Sequence, residues 1–162
     1  MSLSIREARP GDETLILGFI RELADYEKLS DEVVATPAHL VRTLFAENPK
    51  VFALVAESGG EPIGFALYFF NYSTFLGKHG LYLEDLYVRE SRRGEGAGKA
   101  LLARLARIAL DRDCGRMVWS VLDWNAPSIA FYKSLGAEAM DEWTVYRMTG
   151  EALATLASGA RA

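Results

Sequence analysis

Cysteine is almost absent from this chain: Cys114 stands alone, so no internal disulfide can form and no multi-cysteine metal site can be built. Histidine is nearly as scarce, and His39 and His79 lack paired ligands at metal spacing, so both read as surface residues and no metal is expected. Long apolar runs are missing. The longest stretch without formal charge, Pro62 to Gly77, holds Asn71, Tyr72, Ser73 and Thr74 and is too short to span a bilayer. Arg6, Glu7 and Arg9 interrupt any signal-peptide core. Excess positive charge is absent as well: 18 basic against 22 acidic residues give a net charge of −4, the wrong sign for a protein that coats nucleic acid. These deficits point to a cytoplasmic protein with neither nucleic acid nor membrane as partner.

What is present is an ordinary globular composition, with 50% hydrophobic and 25% charged residues among 162. That length fits one domain with a core large enough to need no covalent staples. Residues 1–150 are expected to form it, with 151–162 as a short extension, helical and then frayed. Ser4 to Ala8 reads as a first strand, and Pro10-Gly11-Asp12 opens a helix with Ile16, Phe19, Ile20 and Leu23 on one face. Thr36-Pro37 looks like an N-cap and first helical proline for a second helix. Val51–Glu57 and Ile63–Phe70 flank Ser58-Gly59-Gly60-Glu61 as a hairpin, and Leu81–Val88 is a further strand. A glycine loop then leads into a helix bearing Leu101, Leu102, Leu105 and Ile108. A strand at Met117–Leu122, a helix at Ala126–Leu135 and a closing strand at Trp143–Met148 complete the order βααβββαβαβ. This is a mixed α/β (α+β) arrangement with helices flanking a central sheet.

Arg93-Gly94-Glu95-Gly96-Ala97-Gly98-Lys99 is the most informative segment. Its glycines open the backbone, and a helix N-terminus there offers unsatisfied N–H groups and partial positive charge to a pyrophosphate. A Walker loop would need glycine where Arg93 stands and Ser or Thr where Ala100 stands. A dinucleotide fingerprint from Gly94 would need Gly or Ala where Lys99 stands. What remains is Arg-x-x-Gly-x-Gly between a strand and an amphipathic helix.

That loop resembles the coenzyme A loop of the GNAT superfamily of N-acyltransferases, and Trp124-Asn125-Ala126-Pro127-Ser128-Ile129-Ala130-Phe131-Tyr132 resembles the family's penultimate-helix segment. Glu22-Leu23-Ala24-Asp25-Tyr26-Glu27, Gly64 to Phe70 and Leu81 to Val88 are similar to the diamine (spermidine/spermine) N-acetyltransferases, whose relatives include enzymes preferring thialysine. The resemblance runs from about residue 5 to residue 148. It implies acetyl-CoA as co-substrate and acetyl transfer to a small cationic amine, diamine or polyamine first, by direct attack in a ternary complex. It also implies a homodimer. The same chemistry on thialysine or another amino-acid-like amine, and a non-catalytic acyl-CoA-binding module, are the competing readings.

By the same resemblance, Leu86, Tyr87 and Val88 border the pantetheine arm, while Arg93, Gly94, Glu95, Gly96, Ala97, Gly98 and Lys99 hold the diphosphate. Asn125, Pro127 and Ser128 make further coenzyme contacts. Tyr26, Glu27 and Glu84 hold the amine, and Asp141 or Glu142 supplies another carboxylate. Chemistry adds the roles. An alkylammonium with a pKa of ~10.4 must lose its proton before attack, which suits the carboxylate of Glu84. The phenol of Tyr132, at ~10, can protonate a departing thiolate whose thiol titrates at ~8.5. A backbone N–H near Leu86 or Tyr87 can receive the carbonyl oxygen as charge develops on it. Glu84 and Asp85 point to opposite faces of a regular strand, so both serve one pocket only if a bulge intervenes.

Overall fold

The computed structural model describes residues 2–160. Five strands form one sheet in the order β1-β2-β3-β4-β5: Leu3–Glu7, Phe52–Ser58, Glu61–Ser73, Lys78–Val88 and Met117–Trp119. The first four pair antiparallel with their neighbours, and β5 joins β4 in parallel. The helices are α1 (Glu13–Tyr26), α2 (Pro37–Leu44), α3 (Ala97–Asp111), α4 (Ala126–Ser134) and α5 (Gly150–Ser158).

Strand β2 buries Ala53, Leu54, Val55 and Ala56 in succession, which requires cover on both sheet faces because successive side chains alternate. On one face, Ile16, Leu17 and Phe19 of α1 join Leu40 and Leu44 of α2 against Ala53, Phe65 and Tyr87. Phe19 stacks on Phe65 with ring centroids 5.6 Å apart. Helix α3 covers the sheet with the fully buried Leu101 and Leu105. Thr36 caps α2 as its sequence implies, accepting from the His39 N–H, while His39 Nδ1 accepts from the Thr36 N–H at 3.1 Å.

The chain divides into two compact units, Met1–Leu122 and Asp123–Ala162. The whole sheet, α1, α2 and α3 belong to the first; α4 and α5 belong to the second. One expected element does not form. Trp143–Met148 makes no strand, because a strand needs a neighbour to satisfy its backbone and none pairs with these residues. The expected helix after Gly150 does form, as α5; the frayed end expected beyond it runs into residues 161–162, outside the described residues.

Candidate active site

Strand β4 carries a bulge. Leu67 pairs with Asp85 and Tyr68 with Leu83, so Glu84 is the extra residue and has no partner across the ladder. The bulge breaks the alternation that would otherwise send Glu84 and Asp85 to opposite faces. Glu84 is exposed, whereas Asp85 is half-buried. Burial, reinforced by the negative charges of Glu84 and Glu27, pushes the Asp85 carboxyl up to about 6. Desolvation also raises Glu27. Three carboxylates therefore gather where α1 ends and β4 bulges, and their mutual repulsion costs free energy.

Beyond Leu83, no strand among the described residues pairs with β4 on its β5 side, because β5 pairs only with Leu81–Leu83. The main chain of Leu86, Tyr87 and Val88 thus borders a gap in the sheet, open to an extended ligand that pairs like a strand. The strand's end is fixed from α1. Glu22 accepts from the Tyr87 hydroxyl at 3.2 Å and pairs with Arg89 at 3.2 Å. Arg93 lays its guanidinium over the Tyr26 ring at 4.8 Å and donates to the Val88 carbonyl at 3.0 Å. Two expected ligand contacts, Tyr26 and Arg93, are therefore stacked on each other.

The glycine loop ends at Gly96, whose φ of 87° makes it a left-handed cap for α3 without a capping side chain. From Gly94 to Lys99, no main-chain N–H donates to any group among the described residues; the first helical bond is Ala100 N–H to Gly96 C=O at 2.9 Å. Glu95, the loop's own anion, is turned to other partners. It pairs with Arg92 at 2.7 Å and accepts from Ser58 at 3.0 Å, which holds its carboxyl below the usual range. Gly98 is informative in a different way: a Cβ built there meets nothing within 4 Å, and its φ is ordinary. Nothing in the protein requires glycine at 98, whereas a bulky anion seated on the free N–H groups would.

The second unit carries the remaining expected site residues. Asn125 is buried as the cap of α4, its side chain accepting from the Ser128 N–H at 3.4 Å, with Pro127 in the first turn. Tyr132 lies on α4 with its ring 5.7 Å from that of Phe131. Asp141 and Glu142 are both exposed. Asp85 is the carboxylate that the structure adds to the expected set. The available signal was two adjacent carboxylates in the otherwise apolar run Leu81-Tyr82-Leu83-Glu84-Asp85-Leu86-Tyr87-Val88.

The sheet leaves β4 unpaired beyond Leu83, a glycine loop with free N–H groups opens α3, and Glu27, Glu84 and Asp85 interact where β4 bulges. Residues 19–137 match the acetyltransferase (GNAT) family, and the chain belongs to that family. It is an N-acetyltransferase, and acetyl-CoA is the co-substrate of its family. It is 44% identical to thialysine N-epsilon-acetyltransferase of Sus scrofa, over 96% of this chain and 98% of the relative. It is 39% identical to spermidine/spermine N(1)-acetyltransferase-like protein 1 of Homo sapiens, over 94% of this chain and 23% of that longer protein. Among solved structures, an integron cassette protein from the mobile metagenome of V. cholerae matches with a TM-score of 0.81 at 30% identity, over 98% of this chain and 99% of the other.

Proposed function

We propose that this enzyme acetylates a primary amine of a small polycation, a diamine or polyamine first, as a cytoplasmic homodimer in which residues 1–150 act as one acetyltransferase domain. The observation that carries the substrate class is the grouping of Glu27, Glu84 and Asp85. Clustered anions attract a substrate with more than one positive charge, and bringing it in relieves their mutual repulsion.

The thioester of acetyl-CoA supplies the activated acetyl group. Free N–H groups from Gly94 to Lys99 bind its diphosphate, and the open side of β4 at Leu86–Val88 receives the pantetheine arm. Glu84 meets the incoming ammonium, and the Glu84–Asp85 pair takes its proton. The freed amine nitrogen attacks the acetyl carbonyl carbon, forming the N–C bond. A main-chain N–H near Leu86 or Tyr87 receives the negative oxygen. As the C–S bond breaks, Tyr132 gives its phenolic proton to the sulfur. Asn125, Pro127 and Ser128 contribute further coenzyme contacts, and Asp141 or Glu142 a distal carboxylate for the second charge of the amine.

A second reading, thialysine or a similar amino acid, is favoured by the relative that is 44% identical and bears that name. Such a substrate brings its own carboxylate toward a cluster that is already negative, which argues for the polycation. Thiol release measured across competing amines decides between them. The highest kcat/KM is expected for a di- or polyamine, and no transfer to any polyamine would reject that choice. Tyr132→Phe is expected to keep coenzyme affinity and to lower kcat by roughly 10²-fold or more; an unchanged rate would remove Tyr132 from the mechanism.

A further inference from the structure

Phe19 and Glu22 stand one turn apart on α1, and both meet the end of β4. Glu22 spends both carboxylate oxygens there. Its Oε1 accepts from the Tyr87 hydroxyl and from Arg89 Nε, each at 3.2 Å, and its Oε2 accepts from Arg89 Nη2 at 3.2 Å. The guanidinium thus meets the carboxylate with two nitrogens, an arrangement that fixes direction as well as distance. The third nitrogen, Nη1, donates to the Pro62 carbonyl at 3.2 Å, and the guanidinium carbon lies 4.9 Å from the centre of the Phe19 ring. Tyr87 keeps its hydroxyl proton for Glu22, because burial and that neighbouring charge push the phenol up.

The grip falls at a stretch of strand that is held along one edge. On the β3 side, Leu86, Tyr87 and Val88 pair with Ala66, Phe65 and Gly64. A Cβ built at Gly64 would lie 2.5 Å from the Tyr87 carbonyl oxygen, so glycine there lets the two strands close fully. On the other side, no strand among the described residues pairs with this stretch. A strand anchored along a single edge can rock about it unless its side chains are held too. Tyr87 and Arg89, two residues apart, both turn to α1, and Glu22 holds the pair of them.

We infer that Glu22 is a positioning residue for acetyl transfer: by clamping Tyr87 and Arg89, it sets the main-chain N–H groups of Leu86–Val88 where the thioester needs them. The inference rests on the placement of the pantetheine arm along β4 put forward above, and adds the group that holds the strand still. Glu22 acts through Tyr87 and Arg89. Donors aimed at a developing charge are sensitive to such support, since a misplacement of about 1 Å can cost roughly 10²-fold in rate.

The test is Glu22→Ala. Alanine is the best helix former, and Arg89 and Glu22 are 36% and 37% exposed, so water takes over the freed guanidinium and the fold is expected to hold. Calorimetric stoichiometry with coenzyme A counts the competent chains. Per competent chain, kcat is expected to fall roughly 10- to 10²-fold with KM for the amine unchanged. Tyr87→Phe should lower kcat by less. The double variant should be no slower than Glu22→Ala, because without Glu22 the hydroxyl has already lost its clamp. An unchanged kcat overturns the inference, as do losses that multiply in the double variant. A loss confined to the amine KM also overturns it, making Glu22 one more anion for the substrate. Amide spectra of isotope-labelled protein separate this from the reading beneath it. Coenzyme A is expected to shift the N–H signals of Leu86, Tyr87 and Val88 in the wild type, and to shift them less in Glu22→Ala. No shift in the wild type rejects the placement of the pantetheine arm, and the inference with it; identical shifts in both proteins overturn the inference alone. Where Glu22→Ala does not fold, Tyr87→Phe carries the test: it keeps the ring against Phe19 and removes the hydroxyl bond, and an unchanged kcat overturns the inference.

Discussion

A strand carboxylate in water titrates near 4, and Asp85 is pushed up to about 6 because it is half-buried beside Glu84 and Glu27. A base with that value is ionised at neutral pH yet holds a proton better than an ordinary aspartate, which suits it to accept one from an ammonium. The wild-type log kcat/KM is therefore expected to bend near pH 6, where Asp85 loses its proton. Asp85→Asn should remove that bend and lower the rate roughly 10²–10⁴-fold. Glu84→Gln should keep a bend, displaced to lower pH because one neighbouring negative charge is gone. A pH–rate series on the three proteins checks this; a bend that survives in Asp85→Asn assigns it to another group.

Local elements shape this site as much as side chains do. In the proposed role the loop from Gly94 to Lys99 would bind the diphosphate through main-chain N–H groups, so its side chains would matter by their size. Gly98→Val places bulk where nothing in the protein stands and where φ is ordinary. It is expected to leave the melting temperature within about 2 °C, since a ΔΔG of a few tenths of a kcal/mol shifts Tm little. Coenzyme affinity should nevertheless fall at least tenfold by calorimetry. Unchanged affinity would show that the diphosphate does not lie against residue 98. Gly96→Ala is a different perturbation: with φ at 87° it strains the cap of α3, so stability and coenzyme binding should fall together.

For the molecule as a whole, the carboxylate cluster creates a link between pH and stability. The folded-state value of Asp85 is raised, so its contribution to stability is fully present below the ordinary value of 3.8 and is lost as pH climbs through about 6. A displacement of this size corresponds to a loss of about 3 kcal/mol by pH 7–8. Asp12 acts in the opposite sense. Its hydrogen-bonded pair with Arg6, at 2.8 Å, holds its carboxyl below the usual value, so the stability it adds is present above that value and lost as pH falls further. Urea unfolding from pH 3 to 8 is expected to show maximal stability near pH 4–5, and Asp85→Asn should flatten the decline toward pH 7. A wild-type profile that rises from pH 5 to pH 7 would contradict the burial of a charged Asp85.

Much of this protein was readable before any fold was known. The spacing of Ile16 and Phe19 marked the core face of α1, and Thr36-Pro37 marked the start of α2. The Arg93–Lys99 pattern, with rival phosphate loops eliminated by single residues, marked the glycine turn that opens α3. These features are local: periodicity, caps and glycine spacing act through neighbours a few residues away, so they are written directly in the chain. The bulge at Glu84 and the failure of Trp143–Met148 to form a strand are of another kind. Neither glycine nor proline announces the bulge; it arises from the register in which β3 and β4 pair over Gly64–Ser73, and it breaks the alternation between Glu84 and Asp85. A strand exists only where another accepts its hydrogen bonds, so the alternation of Trp143 to Met148 could state a preference, while pairing across the sheet decided the outcome.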